Sequence, residues 1–439
     1  MNPPTSPLPT SPLPTSYASI DEANRAVVDA MTAAQPVLVD VVQAHQVIGE
    51  LAEQTRTLLH AGPPIAFEDM PAPVQGSCIG AALFEGWASN EQEARELVAR
   101  EVRLLPCHSV GAVGPMGGIT SAHMAMVVVE NQAGENRAYS TMNEGIGKVL
   151  RFGAYDDEVI ERLRWMRDVL GPALAAALRQ SAGGYPLNPV IARALTMGDE
   201  MHQRNIAASA IFAKDMAPLL VRAGLDADVL EQVTDFLGRT DQFFLNLAMA
   251  ACKAITDASR QVTEGSVVTA MTRNGHEFAI RVSGLGDEWF TAPVNTPTGL
   301  FFTGYDQSQA CPDMGDSAIT ETFGLGGLAM IAAPGVTRFL GAGGFADALA
   351  TSEEMAEIVT GHNPALSIPS WDFQGTLLGI DVRKVVATGI TPIINTGIAS
   401  IEPGVGQIGA GTVRAPLGCF TKALEALAAR YGIEAGGDA

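Results

Sequence analysis

The chain is short of the residues that announce a function by themselves. Charged side chains make up only 17% of its 439 residues and aromatic ones only 6%. So few aromatics argue against an aromatic-lined groove. Basic residues are outnumbered: 27 Lys and Arg stand against 48 Asp and Glu, for a net charge of -21. Nucleic acid is disfavoured as a partner, because it needs a basic field, and an anionic membrane surface is disfavoured for the same reason. No uninterrupted apolar run reaches the roughly 18 residues of a membrane helix. The N-terminus lacks the basic region of a secretory signal. The five cysteines, Cys78, Cys107, Cys252, Cys311 and Cys419, are scattered and form no C-x-x-C. They fit a reducing cytoplasm better than a disulfide framework or a zinc ribbon. H-E-x-x-H, EF-hand and Cys/His-cluster patterns are missing too, so no tight metal site is expected. No cofactor is expected either, with a weakly held Mg²⁺ left open.

Apolar residues are abundant at 47%, as are Gly (46), Pro (26) and Met (16). This composition suits buried cores with many tight turns. A chain of this length exceeds one simple core. Strand runs and helix runs do not alternate strictly, so the fold class is read as multi-domain α+β. The expected layout is a disordered Pro/Ser-rich tail over 1–18, an α/β domain over 19–156, a helical domain over 157–260 and an α+β domain over 261–439. Two mixed domains would then flank a small helical one.

Local signals set the elements. Ser19 and Glu22 make a capping box for a helix through Ala30. Pro36 to Val42 is strand-like, and a helix is expected from there to about His60. Gln75 to Trp87 predicts an apolar helix, and Ser89 with Gln92 caps the next. Met124 to Glu130 and Asn136 to Met142 predict paired strands. Helices are expected over 157–181, 188–204, 206–223, 227–238 and 240–258. Asn274-Gly275 predicts a hairpin between Val267–Met271 and Glu277–Val282. Further helices are expected over 317–334, 343–348 and 352–360, strand over 382–394, and a closing helix over 417–431.

The densest chemistry lies in Met197-Gly-Asp-Glu-Met-His-Gln-Arg-Asn205. On a helix, Asp199 with His202 and Glu200 with Arg204 would form opposed pairs on neighbouring faces. The functional reading has Asp199 orient His202, while Arg204 and Asn205 hold an anion or amide. The plain alternative is a salt-bridged helix face. Cys107-His108 closes a strand and runs into a glycine loop carrying Gly114, Gly117 and Gly118, whose backbone N–H groups suit an anion. The loop lacks the spacing of a P-loop or dinucleotide fingerprint. Ser317 and Thr320 could bind an oxyanion at a helix start, unless Asp316 or Ser317 is simply an N-cap. Asn395 precedes a last glycine run with Gly409 and Gly411, ending in Arg414, a candidate anion clamp.

These blocks occur in one order: His60-Ala-Gly-Pro-Pro-Ile65, Phe84-Glu-Gly-Trp-Ala88, Pro106-Cys-His108, Val113-Gly-Pro-Met116, Glu144-Gly-Ile-Gly-Lys148, Met197-Gly-Asp-Glu-Met-His202, Phe243-Phe-Leu-Asn-Leu247, Gly315-Asp-Ser-Ala-Ile-Thr-Glu-Thr322 and Gly406-Gln-Ile-Gly-Ala-Gly411. The ordered set resembles the YlbE/YahG-type family over roughly residues 22 to 430. One member of that family resembles the large subunit of an FdrA-associated oxamate carbamoyltransferase, which phosphorolyses oxalurate to oxamate and carbamoyl phosphate. The chain departs from the family pattern at Ser109-Val110 and at Ser400-Ile401, where the family carries further histidine and His-Lys.

The resemblance implies a cytoplasmic, oligomeric carbamoyltransferase-like subunit acting on a small anionic ureido or amide acid. An FdrA-like protein and a third subunit would be its partners. His202 or His108 would move the proton, with Asp199 and Glu200 beside them. Two other readings remain open: a non-catalytic scaffold subunit of such a complex, and a standalone amide or ureido hydrolase. If the cluster is a site wall, the glycine loops around Gly114–Gly118 and Gly406–Gly411 must approach His202.

Overall fold

The computed structural model describes residues 16–52, 55–142, 144–145, 147–339 and 343–432. The Pro/Ser-rich segment read as a tail lies outside the described residues as far as position 15. Ser19 opens the first helix, Ile20–Ala33, as its sequence predicts. Its hydroxyl accepts from the Glu22 N–H while the Glu22 carboxylate accepts from the Ala18 N–H. Strand Pro36–Gln43 pairs antiparallel with Ala125–Asn131, which pairs with Asn136–Thr141. The short strands Ala112–Val113 and Tyr185–Pro186 complete this five-stranded sheet.

Helix Phe244–Ser259 packs across that sheet with nearly every residue buried. Even its Lys253 is buried there, paired with Asp257 at 2.7 Å. This helix also touches helix Ile20–Ala33, helix Ile319–Thr322 and strand Val268–Asn274. One apolar cluster accordingly runs from Ala23 to Leu427 and draws side chains from each of the three expected folded segments.

A second sheet orders its strands Phe290–Pro293, Glu277–Val282, Val268–Asn274 and Met314–Gly315. Its central hairpin turns at Asn274-Gly275, where Gly275 has φ +83°. The Asn274 side-chain oxygen accepts from the His276 and Glu277 N–H groups, which fixes the turn. A third sheet holds Thr298–Phe301, Gln407–Arg414 and Ile393–Ala399. Two smaller pairs are Val359–Ile368 with Gln374–Ile380, and Thr57–His60 parallel to Arg103–Pro106. The fold is α+β, with several mixed sheets and packed helices.

Some stretches differ from their expected form. The helix expected to reach His60 is replaced by two single turns, Ala44–Gln46 and Gly49–Leu51, and by strand Thr57–His60. Pairing with the distant Arg103–Pro106 overrides local propensity there. Asn90, not Ser89, caps helix Glu91–Glu101, accepting from the Glu93 N–H. Residues Val359–Ile368 form a strand where a helix was expected to continue to 360. Val382–Thr388 is a helix although its valines suggest a strand: the Asp381 carboxylate accepts from the Arg383 N–H, and Gly389 ends it at φ +73°. The largest departure is at Thr196, where the helix expected over 188–204 stops. Gly198 and Met201 then take φ of +91° and +74°, which no helix contains. Among the described residues no helix is long and apolar enough to cross a membrane.

Candidate active site

The Asp199–Asn205 cluster is therefore a loop between helices Asn188–Thr196 and Ile206–Arg222. Its side chains pair differently from a helix face. Asp199 does not orient His202. Its carboxylate accepts from the Ala208 N–H at 2.8 Å and from Arg204 Nε at 3.2 Å. Glu200 folds back on the loop, accepting from the Arg204 N–H at 2.6 Å and the His202 N–H at 3.3 Å. Asn395 Nδ2 donates to Glu200 from the neighbouring strand at 3.0 Å. Burial pushes the Glu200 carboxyl up to about 7. Asn205 donates to the His202 carbonyl at 2.9 Å and so pins the loop's shape.

His202 is oriented by Glu321 instead. Its Nδ1 lies 2.8 and 2.9 Å from the two carboxylate oxygens. Glu321 also accepts from the Gly327 and Asn395 N–H groups, at 2.9 and 3.2 Å, and from the Thr320 hydroxyl at 3.1 Å. An acceptor so surrounded by donors leaves the proton on Nδ1 of the imidazole and the lone pair on Nε2. A Cβ at Gly326 would lie 2.0 Å from Glu321 Oε1, so only glycine lets this carboxylate reach the ring.

The ring lines a recess with Pro115 and Met116 of the first glycine loop, Arg151, Ser317 and Gln407. The recess is narrow, about 20 Å³, room for one water-sized group. Gln203, Gln242 and Gln407 line both it and an outer cleft of about 390 Å³. Arg204, 41% exposed, lines the outer cleft with Phe302. Both glycine-rich segments thus meet His202, through Met116 and Gln407.

The first loop's amides are already engaged. Gly114 N–H donates to Asp316 at 2.9 Å, Gly117 N–H to the Arg151 carbonyl at 3.4 Å and Gly118 N–H to the Pro115 carbonyl at 3.0 Å. These three groups are spent on the protein rather than left open to an anion. Neither Asp316 nor Ser317 caps helix Ile319–Thr322 with its side chain. Asp316 instead accepts from Gly62 N–H at 3.0 Å, from Gly114 N–H and from the Thr272 hydroxyl at 2.5 Å, and burial raises its carboxyl. Thr320 serves Glu321, and Ser317 accepts from Arg273 Nη1 at 3.1 Å.

His108 sits in a sealed compartment. Its Nε2 is 3.6 Å from Asp316, and neither ring nitrogen has a hydrogen-bond partner. Burial, with the charges of Lys253, Arg281 and Arg260 adding to it, holds this imidazole well below its ordinary range. It does not line the recess. Gly409 and Gly411 lie in strand Gln407–Arg414, where added Cβ atoms would meet Leu300 O at 2.5 Å and Thr298 O at 2.1 Å. They let two strands close together. Arg414 is on the surface, 2.6 Å from Glu354.

Glu321, Arg151, Arg273 and the three glutamines carry no sequence signal that marks them as site residues. Glu321 stands in a quoted block and Arg151 three residues beyond another, but no spacing rule joins either to His202 across so much chain. Among the described residues no group of three or more His, Cys, Asp or Glu gathers as metal ligands.

Residues 102–317 match the family model described as oxamate carbamoyltransferase subunit AllG. The chain is 61% identical to the oxamate carbamoyltransferase subunit AllG of Escherichia coli (strain K12) over 418 residues, covering 95% of this chain and 100% of that one. It is 42% identical over 415 residues to the uncharacterized protein YahG of the same organism, covering 94% and 87%. The crystal structure of a conserved protein of unknown function from Enterococcus faecalis V583 superposes with a TM-score of 0.91 at 43% identity, covering 94% of this chain and 99% of that one. The fold, the ordered blocks and these likenesses agree: the chain belongs to the YahG/AllG-type family.

Proposed function

We propose that this chain is the subunit of a carbamoyltransferase that carries the reacting recess. The reaction is oxalurate plus phosphate to oxamate plus carbamoyl phosphate, or its like on another small ureido or amide acid. An FdrA-like protein and a third subunit complete the enzyme in this reading, which needs no resident cofactor. Its main support is one observation: Glu321 holds His202 so that Nε2 is free on a ring lining the recess. The name of the AllG relative is consistent with it.

The chemistry follows from that orientation. A phosphate oxygen attacks the carbamoyl carbon, forming a C–O bond as the C–N bond to the oxamate nitrogen breaks. The proton leaves the phosphate hydroxyl for His202 Nε2 and passes to the departing nitrogen, so charge and atoms balance. Glu321 stabilises the imidazolium that forms in between. Proton transfer by a positioned base contributes about 10²- to 10⁴-fold in rate. Glu200, raised by burial to about 7, is only partly ionised near neutral pH and lines neither the recess nor the outer cleft.

The test is turnover by the purified chain with its co-encoded partners on a panel of ureido acids. Phosphate-dependent release of carbamoyl phosphate is expected. Absence of turnover across the panel overturns the reading. Turnover by this chain alone, without phosphate, would establish a hydrolase instead.

A further inference from the structure

The recess contains a charge whose hydrogen-bonding capacity is not used up. Arg151 is 8% exposed. It is the middle residue of the turn Leu150–Phe152, which is fixed by Gly153 at φ +84° against the Pro73 backbone. Its Nη2 donates to the Gly145 carbonyl, its Nε–H is buried without an acceptor, and its guanidinium lies 5.0 Å from the centre of the Phe152 ring. The Gly117 N–H holds its own carbonyl, which ties it to the glycine loop. Burial lowers this guanidinium to about 10, and the nearby Glu144 only partly opposes the shift. Folded proteins rarely leave a buried cation's donors idle, since desolvation is then uncompensated.

We infer that Arg151, and neither Arg204 nor Arg414, is the oxyanion anchor of this site. The inference rests on the carbamoyltransferase reading above and deepens it. A guanidinium with an unspent Nε–H matches an oxyanion carried on carbon or phosphorus. Two sources share that chemistry: the carboxylate of the ureido acid and inorganic phosphate. Arg204 is committed to Asp199 on the outer cleft and Arg414 to Glu354 on the surface. His202 and Ser317 line the same recess. The anchored end group thus lies beside the proton carrier. Admitting it requires the recess to widen, and the glutamine side chains at its mouth, Gln203, Gln242 and Gln407, are long, uncharged and only half-buried.

The experiment is calorimetric titration of the assembled enzyme with inorganic phosphate and, separately, with oxamate. Arg151→Gln is expected to weaken one of the two by about 10- to 100-fold, the loss of charge-assisted hydrogen bonds. Arg151→Lys should restore part of it, and Arg204→Gln should change either by less than about 3-fold. Loss of phosphate assigns the anchor to phosphate, and loss of oxamate assigns it to the carboxylate. Unchanged binding of both in Arg151→Gln overturns the inference, as does no binding by the wild type or a loss seen in Arg204→Gln instead. If Arg151→Gln does not fold, a crystal structure of the wild type with phosphate and oxamate decides: an oxyanion on Arg151 supports the anchor, and one seated elsewhere overturns it. Carbamoyl phosphate release by the wild type separates the two claims. Turnover with unchanged Arg151→Gln binding sinks only the anchor. Anion binding at Arg151 without turnover sinks only the reaction.

Discussion

Arg273 and Arg151 are both buried arginines close to Ser317, and their surroundings differ sharply. Arg273 spends its donors entirely on the protein. Nε meets Asp313 at 2.6 Å, Nη1 meets the Gly315 carbonyl at 2.9 Å and Ser317, and Nη2 meets Asp313 at 3.3 Å and Thr396 at 3.4 Å. Thr396 closes the circuit by donating to Asp313 at 3.0 Å. Arg151 has a donor left over and faces a recess. The two histidines differ in access instead, since neither ring nitrogen of His108 is hydrogen-bonded yet His108 does not line the recess. His108 is sealed, while His202 is held at one nitrogen and free at the other. Residue type and burial do not separate framework from chemistry here. Unspent hydrogen-bonding capacity at a cavity wall does.

If Arg273 is framework, Arg273→Met should leave Asp313 charged and unpaired. A loss of about 3–5 kcal/mol is expected in urea unfolding. A loss near zero would dissolve the contrast. On the open side, Glu321→Gln should cut kcat of the assembled enzyme about 100-fold, because the proton on His202 Nδ1 loses its charged acceptor. Its melting temperature should move far less than that of Arg273→Met. Equal damage to both quantities would recast Glu321 as framework.

A pH dependence sharpens the boundary further. The Glu200 carboxyl rises from 4.5 to about 7 in the folded chain. The native state therefore binds this proton more tightly than the unfolded one. Its stability benefit is present below about pH 4.5 and is lost as pH rises through about 7. Urea midpoints should fall between about pH 5 and about pH 8, and Glu200→Gln should make that fall shallower. Glu144, raised to about 7 by burial, acts with the same sign, so part of the slope should remain. An identical slope in Glu200→Gln would mean that Glu200 does not titrate there. The smallest effect belongs to Arg414→Ala. Removing this partly exposed pair should cost about 0–1 kcal/mol and leave turnover within about 2-fold. A large loss of turnover would return Arg414 to the site.

Much of the frame was legible where neighbours along the chain decide the structure. Ser19 with Glu22, Asn274-Gly275 and the strands on either side of Gly134 are of that kind. The family blocks brought the glycine segments and His202 together correctly because they report on the folded whole. What escaped is long-range. Strand Thr57–His60 exists through its pairing with Arg103–Pro106, and the orienting carboxylate of His202 lies at Glu321. The helix drawn through Asp199–Asn205 failed at Gly198 and Met201, whose positive φ turns the chain. That failure matters most, because every pairing inferred from helical spacing went with it. Arg151 stayed hidden because its importance lies in a missing partner.

His202 stands or falls as the proton carrier of the recess by its own removal. That role is tested most directly by phosphate-dependent carbamoyl phosphate release from oxalurate by the complete enzyme containing His202→Gln, with assembly confirmed by its mass in solution. The expected result is an assembled enzyme whose kcat has fallen by about 10²- to 10⁴-fold. An assembled His202→Gln enzyme with wild-type kcat would contradict it and leave the chain as a scaffold for chemistry performed elsewhere.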